Sequence, residues 1–547
     1  MLIAGYTHVA LAVAAAQLLH ANASPAKVAY RASGSAVAPI VDLGYILHQA
    51  IPIEQSDTVY SFNNIQYATE NRFSKPTYPP PQDRGKILNG SSPSICPQAY
   101  PAWQFSAVNA LGGADLSNAT TAELLDPSLV PSIQYYEEDC LHLDVQVPKS
   151  FFDSLSANST LPLLPIVVWI HGGGFVQGHK SEDGNGTGLI TRSIELGSQG
   201  ILFVAINYRL GMFGWLASGD ANVTANIGLL DQSTALQWVK DYAHLFGGDA
   251  KRITILSQSA GAGSVLVHLA DSLSGGRPLP FQRAILQSPY PGVPPSNESK
   301  IYEQVLRAAN VNSLDELRQL DSQTLQKISY DVVTSSPYGT FTFGPSSFPG
   351  LNQLPNPEKV SIPFMVGTNS REGVLFAAPN VQSESSYLSA VQNVVTGSSL
   401  DALANLTNDL YPSSQFETQL DRLDSTLADL FIHCNAQQTF AAFKGSSYAY
   451  QYSVPSGVHA ADLHYTFFDG NVDDLPQKNV TVAKAFQGYI ANFVLGNTPA
   501  SGVAGVIDLP PFTENLGVDL NITGITQRFP TWLNATICNR WAEILDA

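Results

Sequence analysis

Charge is scarce in this sequence. Only 13% of its 547 residues are Asp, Glu, Lys or Arg, about half the usual share. The charge is also one-sided: 27 Lys and Arg against 45 Asp and Glu, a net −18 at pH 7. No Lys/Arg-rich run occurs. A chain without a basic patch has nothing to set against phosphates, which argues against nucleic-acid binding. An anionic membrane surface would repel it. Cysteine is rare, and none of the four is close enough to another for a zinc-type pair. No internal repeat and no long Gly/Ser or Pro linker divides the chain. Length alone suggests three or four domains at roughly 150 residues each, but the missing linkers favour one large domain. Apolar residues at 44% and aromatics at 10% exclude disorder and supply a sizeable core.

Met1 to Ala23 contain no Asp, Glu, Lys or Arg. An apolar stretch from Val9 to Leu19, interrupted by Gln17, precedes Ala21-Asn22-Ala23. This fits a small-x-small cleavage site before Ser24 and is too short to span a bilayer. The expectation is an export signal at residues 1–23 and a mature chain at 24–547. A buried N-terminal helix is the alternative, since no Lys or Arg opens the segment. Ten Asn-x-Ser/Thr sequons follow, at Asn89, Asn118, Asn158, Asn185, Asn222, Asn297, Asn405, Asn479, Asn521 and Asn534. Together they fit a secreted, extracellular glycoprotein, and glycans would explain how so few charges keep it soluble. Cys96, Cys140, Cys434 and Cys538 then suggest two disulfides. Three pairings are possible; Cys96 with Cys140 is the local choice. The C-terminus is neither a GPI tail nor an ER-retention signal.

The middle of the chain alternates apolar β-rich runs with helical patterns. Leu161 to Ile170, Ile201 to Tyr208, Ile253 to Leu256, Ala284 to Gln287, Pro363 to Gly367 and Tyr448 to Val454 read as strands. Leu229 to Ala243 and Ala260 to Leu269 read as helices. The implied class is α/β, with a mostly parallel central sheet covered by helices on both faces. Ligands bind at the carboxyl ends of such strands.

Chemistry-bearing residues follow those ends. His171-Gly172-Gly173-Gly174-Phe175 follows the first strand; its glycines let backbone N–H groups turn toward a bound oxyanion. Ser257-Gln258-Ser259-Ala260-Gly261 lies between a strand and a helix, the nucleophile-elbow arrangement. Ser257 departs from the first Gly of the usual G-x-S-x-G, with a cost in elbow geometry to be settled. Ser259 could equally be a helix cap. Glu372 follows the Pro363 strand and His459 the Tyr448 strand. His433 and His464 are rivals, but only His459 directly follows a strand through a Gly-containing turn. The order Ser, Glu, His matches this architecture. Serine needs a base, the base an orienting carboxylate, and the attacked carbonyl an oxyanion site.

These residues resemble the type-B carboxylesterase/lipase family, which includes cholinesterases and fungal lipases. Glu138-Asp139-Cys140-Leu141-His142-Leu143-Asp144-Val145 is similar to that family's second signature; Asn207-Tyr208-Arg209-Leu210-Gly211 and Phe246-Gly247-Gly248-Asp249 also match. The resemblance implies an α/β-hydrolase fold over nearly the whole mature chain. It implies Ser259 as nucleophile, Glu372 as acid, His459 as base, and Gly173, Gly174 and Ala260 as oxyanion donors. It also implies Cys96–Cys140 and Cys434–Cys538 disulfides, while the middle disulfide of many members is absent. Gln258 stands where many members have Glu. The Cys96–Cys140 loop is longer than in cholinesterases and lacks an obvious choline-binding tryptophan, which disfavours a choline ester. Its many apolar residues fit either a lid over the pocket or packed core.

The reading is a secreted serine hydrolase acting on carboxylic esters with hydrophobic acyl groups or on lipids, through a Ser-His-Glu triad and an acyl-enzyme. Its partner is a small-molecule or lipid ester, with at most transient contact at a lipid interface. No metal or organic cofactor is implied. The alternatives are a non-catalytic binding or adhesion module of the same fold and an esterase dedicated to one natural-product ester.

Overall fold

The computed structural model describes residues 38–545, except 54–55, 79, 81–82, 158–160, 219–222, 276–277, 293–297, 336–340, 342–361, 396–397, 443–446, 513–515 and 529–532. The expected export signal and the sequons at Asn158, Asn222 and Asn297 lie outside the described residues.

The strands in chain order are β1 (Ile40–Asp42), β2 (Ile46–Gln49), β3 (Ile51–Ile53), β4 (Ser56–Gln66), β5 (Asp83–Leu88), β6 (His142–Pro148), β7 (Leu164–Ile170), β8 (Leu202–Ile206), β9 (Gly248–Gln258), β10 (Arg283–Gln287), β11 (Phe364–Asn369), β12 (Ser447–Tyr452), β13 (Gly517–Asn521) and β14 (Gly524–Arg528). β1, β2 and β5 form a small sheet. The other eleven form one large sheet in the order β14-β13-β12-β11-β10-β9-β7-β8-β6-β4-β3. From β8 to β13 every neighbouring pair is parallel. The edges are antiparallel, through β6, β4 and β3 on one side and β14 on the other. The expected parallel sheet is therefore the centre of a mixed one.

Alternation along the strands divides the interior in two. Ile166, Val168 and Ile170 of β7 join one core with Val204, Ile255 and Leu286. Val167 and Trp169 point the other way, to a second core with Phe203, Leu256, Ile285 and Met365. Both faces are covered, which is why β7 is an unbroken apolar run buried at every position. The helices that bear on the site are α1 (Ala102–Leu111), α2 (Ile227–Tyr242), α3 (Ala260–Gly275), α4 (Ser322–Thr334), α5 (Val480–Leu495) and α6 (Ala535–Leu545). α5 buries Val482, Phe486, Tyr489, Ile490 and Phe493 on the second core, a helical spacing of apolar residues.

The motifs beyond the elbow brace the loops at the strand ends. Arg72 meets Glu138 through two hydrogen bonds of 2.8 Å. The Tyr208 hydroxyl donates to the His171 carbonyl at 2.8 Å. Arg209 pairs with the fully buried Asp231 at 2.6 Å, a planar fork on a carboxylate.

Both implied disulfides are present. Cys96–Cys140 spans 44 residues and Cys434–Cys538 spans 104. The second fastens α6 to the helical segment that begins at Cys434. In the Cys96–Cys140 loop, Ala102, Ala107, Leu124 and Val130 are buried, while Val108, Leu111 and Tyr135 are exposed. Among the described sequons, Asn89, Asn118, Asn405 and Asn534 are exposed; Asn185, Asn479 and Asn521 are half-buried. No helix among the described residues is long and apolar enough to cross a membrane.

Candidate active site

Ser259 stands in the single step between β9 and α3. Its backbone is left-handed, with φ of 52°, a conformation that costs a non-glycine residue about 1–2 kcal/mol. The turn is held by Ser259 N–H donating to the Gln287 carbonyl at 2.9 Å, and by the Gly263 and Tyr290 N–H groups donating to the Ser259 carbonyl at 2.9 and 3.0 Å. The helix then enters so closely that a Cβ on Gly261 would lie 2.2 Å from the Ile170 oxygen. Glycine is required there. It is not required at 257. The Ser257 hydroxyl is buried and donates to the Ile285 carbonyl at 3.1 Å. The neighbouring strand therefore supplies an acceptor for the extra oxygen, and the departure from the usual motif is accommodated.

His459, Glu372 and Ser259 come from three strand ends and meet in one chain of hydrogen bonds. His459 Nε2 lies 2.8 Å from Ser259 Oγ, and His459 Nδ1 lies 2.5 Å from Glu372 Oε2. This network assigns the proton to Nδ1 and the lone pair to Nε2. Such a chain can move the serine proton onto the imidazole as the oxygen attacks an electrophile. The loop carrying His459 is pinned by Arg371 N–H donating to the Gly457 carbonyl at 2.8 Å. Gly457 has φ of 65°, and a Cβ on it would sit 2.3 Å from Ser370 Oγ. The rival histidines are elsewhere: His433 bonds Asp429 at 2.8 Å, and His464 is exposed. Gln258 approaches the same imidazole, its Nε2 3.2 Å from His459 Nε2, so two donors share one acceptor.

Supporting residues that the sequence did not flag surround Glu372. Its Oε1 accepts from Ser288 Oγ at 2.6 Å and from Asn369 N–H at 2.5 Å. Burial opposes its charge, but His459 and these donors outweigh it and hold the carboxyl below its ordinary value. A second buried carboxyl, Asp462, accepts from Tyr450 OH at 2.7 Å, Gln287 Nε2 at 3.0 Å and Asn369 Nδ2 at 3.2 Å. Here burial wins and the carboxyl is pushed up. Environment thus shifts the two carboxyls in opposite directions.

Gly173 and Gly174 have φ of 98° and 61°. A Cβ on Gly173 would fall 2.0 Å from the Gln177 oxygen. Beneath them His171 is buried, accepts no charge because burial holds it down at about 3, and stacks on Tyr208 at 4.4 Å. Ala260 begins α3, where the first N–H groups have no partner within the helix. Ser259, His459, Gly173 and Gly174 line a common cavity of about 260 Å³ with Trp103, Tyr290 and Phe376. Among the described residues, no group of three or more His, Cys, Asp or Glu is arranged to hold a metal ion.

Three other carboxyls shape the response to acid. Burial raises Glu70 to about 8, Asp183 to about 7 and Asp424 to about 6. On account of these three, the folded chain binds more protons than the unfolded one as pH falls from about 8 to 6.5, and stability rises over that span. Below the ordinary histidine value of 6.5 the sign is opposed: burial lowers His48 and His142 to about 4 and His171 to about 3, so the folded chain refuses protons that the unfolded one accepts. Glu372 has the opposite sign: its stabilisation is present above the ordinary value and lost as pH falls through its lowered one. The thermal midpoint measured by calorimetry is expected to be higher at pH 6.5 than at pH 8, and to fall below pH 4. A midpoint that drops steadily from pH 8 to pH 6.5 would contradict this.

Residues 38–541 match the family model described as the carboxylesterase family. The chain is 35% identical to carboxylesterase patB of Aspergillus clavatus, over 92% of this chain and 96% of that protein. It is 31% identical to para-nitrobenzyl esterase of Bacillus subtilis, over 76% and 80%. Among solved structures, Aspergillus niger EstA superposes with a TM-score of 0.74 at 23% identity, covering 93% of this chain and 99% of that one. That likeness establishes the α/β-hydrolase fold. The chain belongs to the carboxylesterase family and is a carboxylic ester hydrolase.

Proposed function

We propose that this enzyme cleaves its ester through Ser259, His459 and Glu372, by way of an acyl-enzyme. Ser259 Oγ attacks the ester carbonyl as its proton passes to His459 Nε2. Glu372 fixes the Nδ1 proton and stabilises the imidazolium. The N–H groups of Gly173, Gly174 and Ala260 receive the charge on the carbonyl oxygen. The imidazolium returns its proton to the departing alcohol, and water repeats the sequence to release the acid. The carrying observation is the unbroken Ser259–His459–Glu372 chain at 2.8 and 2.5 Å, with Ser259 and His459 in the wall of a cavity. It weighs against a binding module, which has no use for an activated serine on a strained turn. The test is a sulfonyl fluoride. It is expected to stop p-nitrophenyl acetate hydrolysis at one equivalent per chain and to leave its adduct on the Ser259 peptide in mass spectrometry. An adduct elsewhere, or full inhibition without one, would refute the assignment.

We also propose that the enzyme is exported and glycosylated. The reading rests on the segment at 1–23, on two disulfides of the kind kept in oxidising compartments, and on four exposed sequons at Asn89, Asn118, Asn405 and Asn534.

A further inference from the structure

We infer that this site serves compact esters dissolved in water and that its size limit is set by a fixed wall from the Cys96–Cys140 loop. The inference rests on the ester-hydrolase reading above and narrows its substrate.

The first observation is the cavity. At about 260 Å³ it lies just below the roughly 300–1,000 Å³ typical of small-molecule sites. Among the described residues its apolar end is closed by packed rings. Trp103 lies 6.0 Å from Phe376, and Phe376 lies 5.8 Å from Tyr290 and 5.1 Å from Phe431. Phe376 also stands edge-on to the His459 imidazole at 5.2 Å. The ring that closes the pocket is therefore in contact with the base itself. Among the described residues, an acetyl, butyryl or single-ring acyl group fits between Ser259 and these rings. On the other side of His459 the cavity adjoins a second one of about 770 Å³, whose lining carries Glu182, Asp183, His464, Asp469 and Asp474, a poor bed for an extended alkyl chain.

The second observation concerns what holds Trp103 in place. A lid that opens must be tied only at its base. This loop is tied along its length. Thr334 Oγ1 donates to the Tyr100 carbonyl at 3.2 Å, Tyr330 OH to Pro131 at 2.8 Å, and Gln326 exchanges two bonds with the Tyr136 backbone at 2.8 and 2.9 Å. All of these come from one face of α4. Elsewhere, Asn380 Nδ2 donates to the Ala119 carbonyl at 2.8 Å, and Ala99 N–H to Val176 at 2.9 Å. The loop cannot swing away without parting from α4, from Asn380 and from the glycine-rich turn together. A lipid surface then has no closed state to release.

The test has two arms. In the first, kcat/KM is measured for p-nitrophenyl esters from acetate to palmitate. It is expected to peak between acetate and butyrate and to fall at least 100-fold by decanoate. Phe376→Ala, and independently Trp103→Ala, are expected to move the optimum toward longer chains. In the second arm, tributyrin is raised through its solubility limit; the rate should saturate smoothly with no jump when droplets appear. Palmitate cleaved as well as butyrate, a jump at the solubility limit, or an optimum that Trp103→Ala leaves unmoved would overturn the inference. If the wild type cleaves no ester and Ser259 takes no sulfonyl label, the hydrolase reading itself has failed. That result is distinct from activity with the wrong chain length.

Discussion

Ser259→Ala is expected to lower kcat/KM for p-nitrophenyl acetate by about 10⁶-fold while leaving the fold intact. Among the described residues the hydroxyl is the one nucleophile on the His459 Nε2 lone pair, at 2.8 Å, and the proposed acyl-enzyme needs it. Three carbonyl and N–H contacts hold the turn through backbone atoms that alanine keeps, so the variant should melt near the wild-type temperature. His459→Ala should be about as severe, and the double variant no worse than either single one, because the two act as a unit. Retention of more than a hundredth of the activity by Ser259→Ala would show that another group attacks.

Glu372→Gln is expected to reduce kcat by about 10⁴-fold, an effect of geometry more than of lost charge. Ser288 Oγ–H and Asn369 N–H both aim at Oε1. The single carbonyl of glutamine is drawn to that side. Its NH2 group then faces His459 Nδ1, which can no longer donate and must accept. The imidazole takes its other tautomer, with the proton on Nε2, and cannot receive one from Ser259. A substitution that preserves shape thus disables the base by moving one hydrogen. Stopped-flow or steady-state rates of the purified variant check this, with circular dichroism confirming that it folds. A loss smaller than about tenfold would mean that Glu372 does not orient His459.

The parts of this site that were legible from sequence are those where local geometry dictates residue type. A strand ending in a small-Ser-small turn reads as an elbow because nothing larger than glycine fits at Gly261. His459 was distinguishable from His433 and His464 because it alone follows a strand through a turn. Ser288, Asn369 and Asp462 were not legible. They are ordinary polar residues, Asn369 and Ser288 at the ends of two strands and Asp462 before a short helix beyond a third, and only the sheet brings them together. The fold shows the same division. β7 and β8, buried on both faces, announce themselves as apolar runs. β4 carries Ser56, Asp57, Asn63 and Asn64 and has no such run, so the antiparallel edge leaves no apolar signal in the sequence. The apolar run marks β9 only from Ile253, because Asp249, Lys251 and Arg252 lie on its less buried half. The Cys96–Cys140 loop stayed ambiguous because apolar composition is the same for a lid and for a wall. The distinguishing facts are hydrogen bonds to α4, nearly 200 residues away in the chain.

The left-handed backbone at Ser259 limits how this enzyme could be bred for industrial heat. Glycine there relieves the strain, worth about 1–2 kcal/mol, and deletes the oxygen proposed to attack the ester. A selection that scores only survival at high temperature rewards that exchange, and its winners are sturdy proteins that hold esters without cleaving them. Turnover has to be scored in the same round as endurance, because at this one position the two pull in opposite directions.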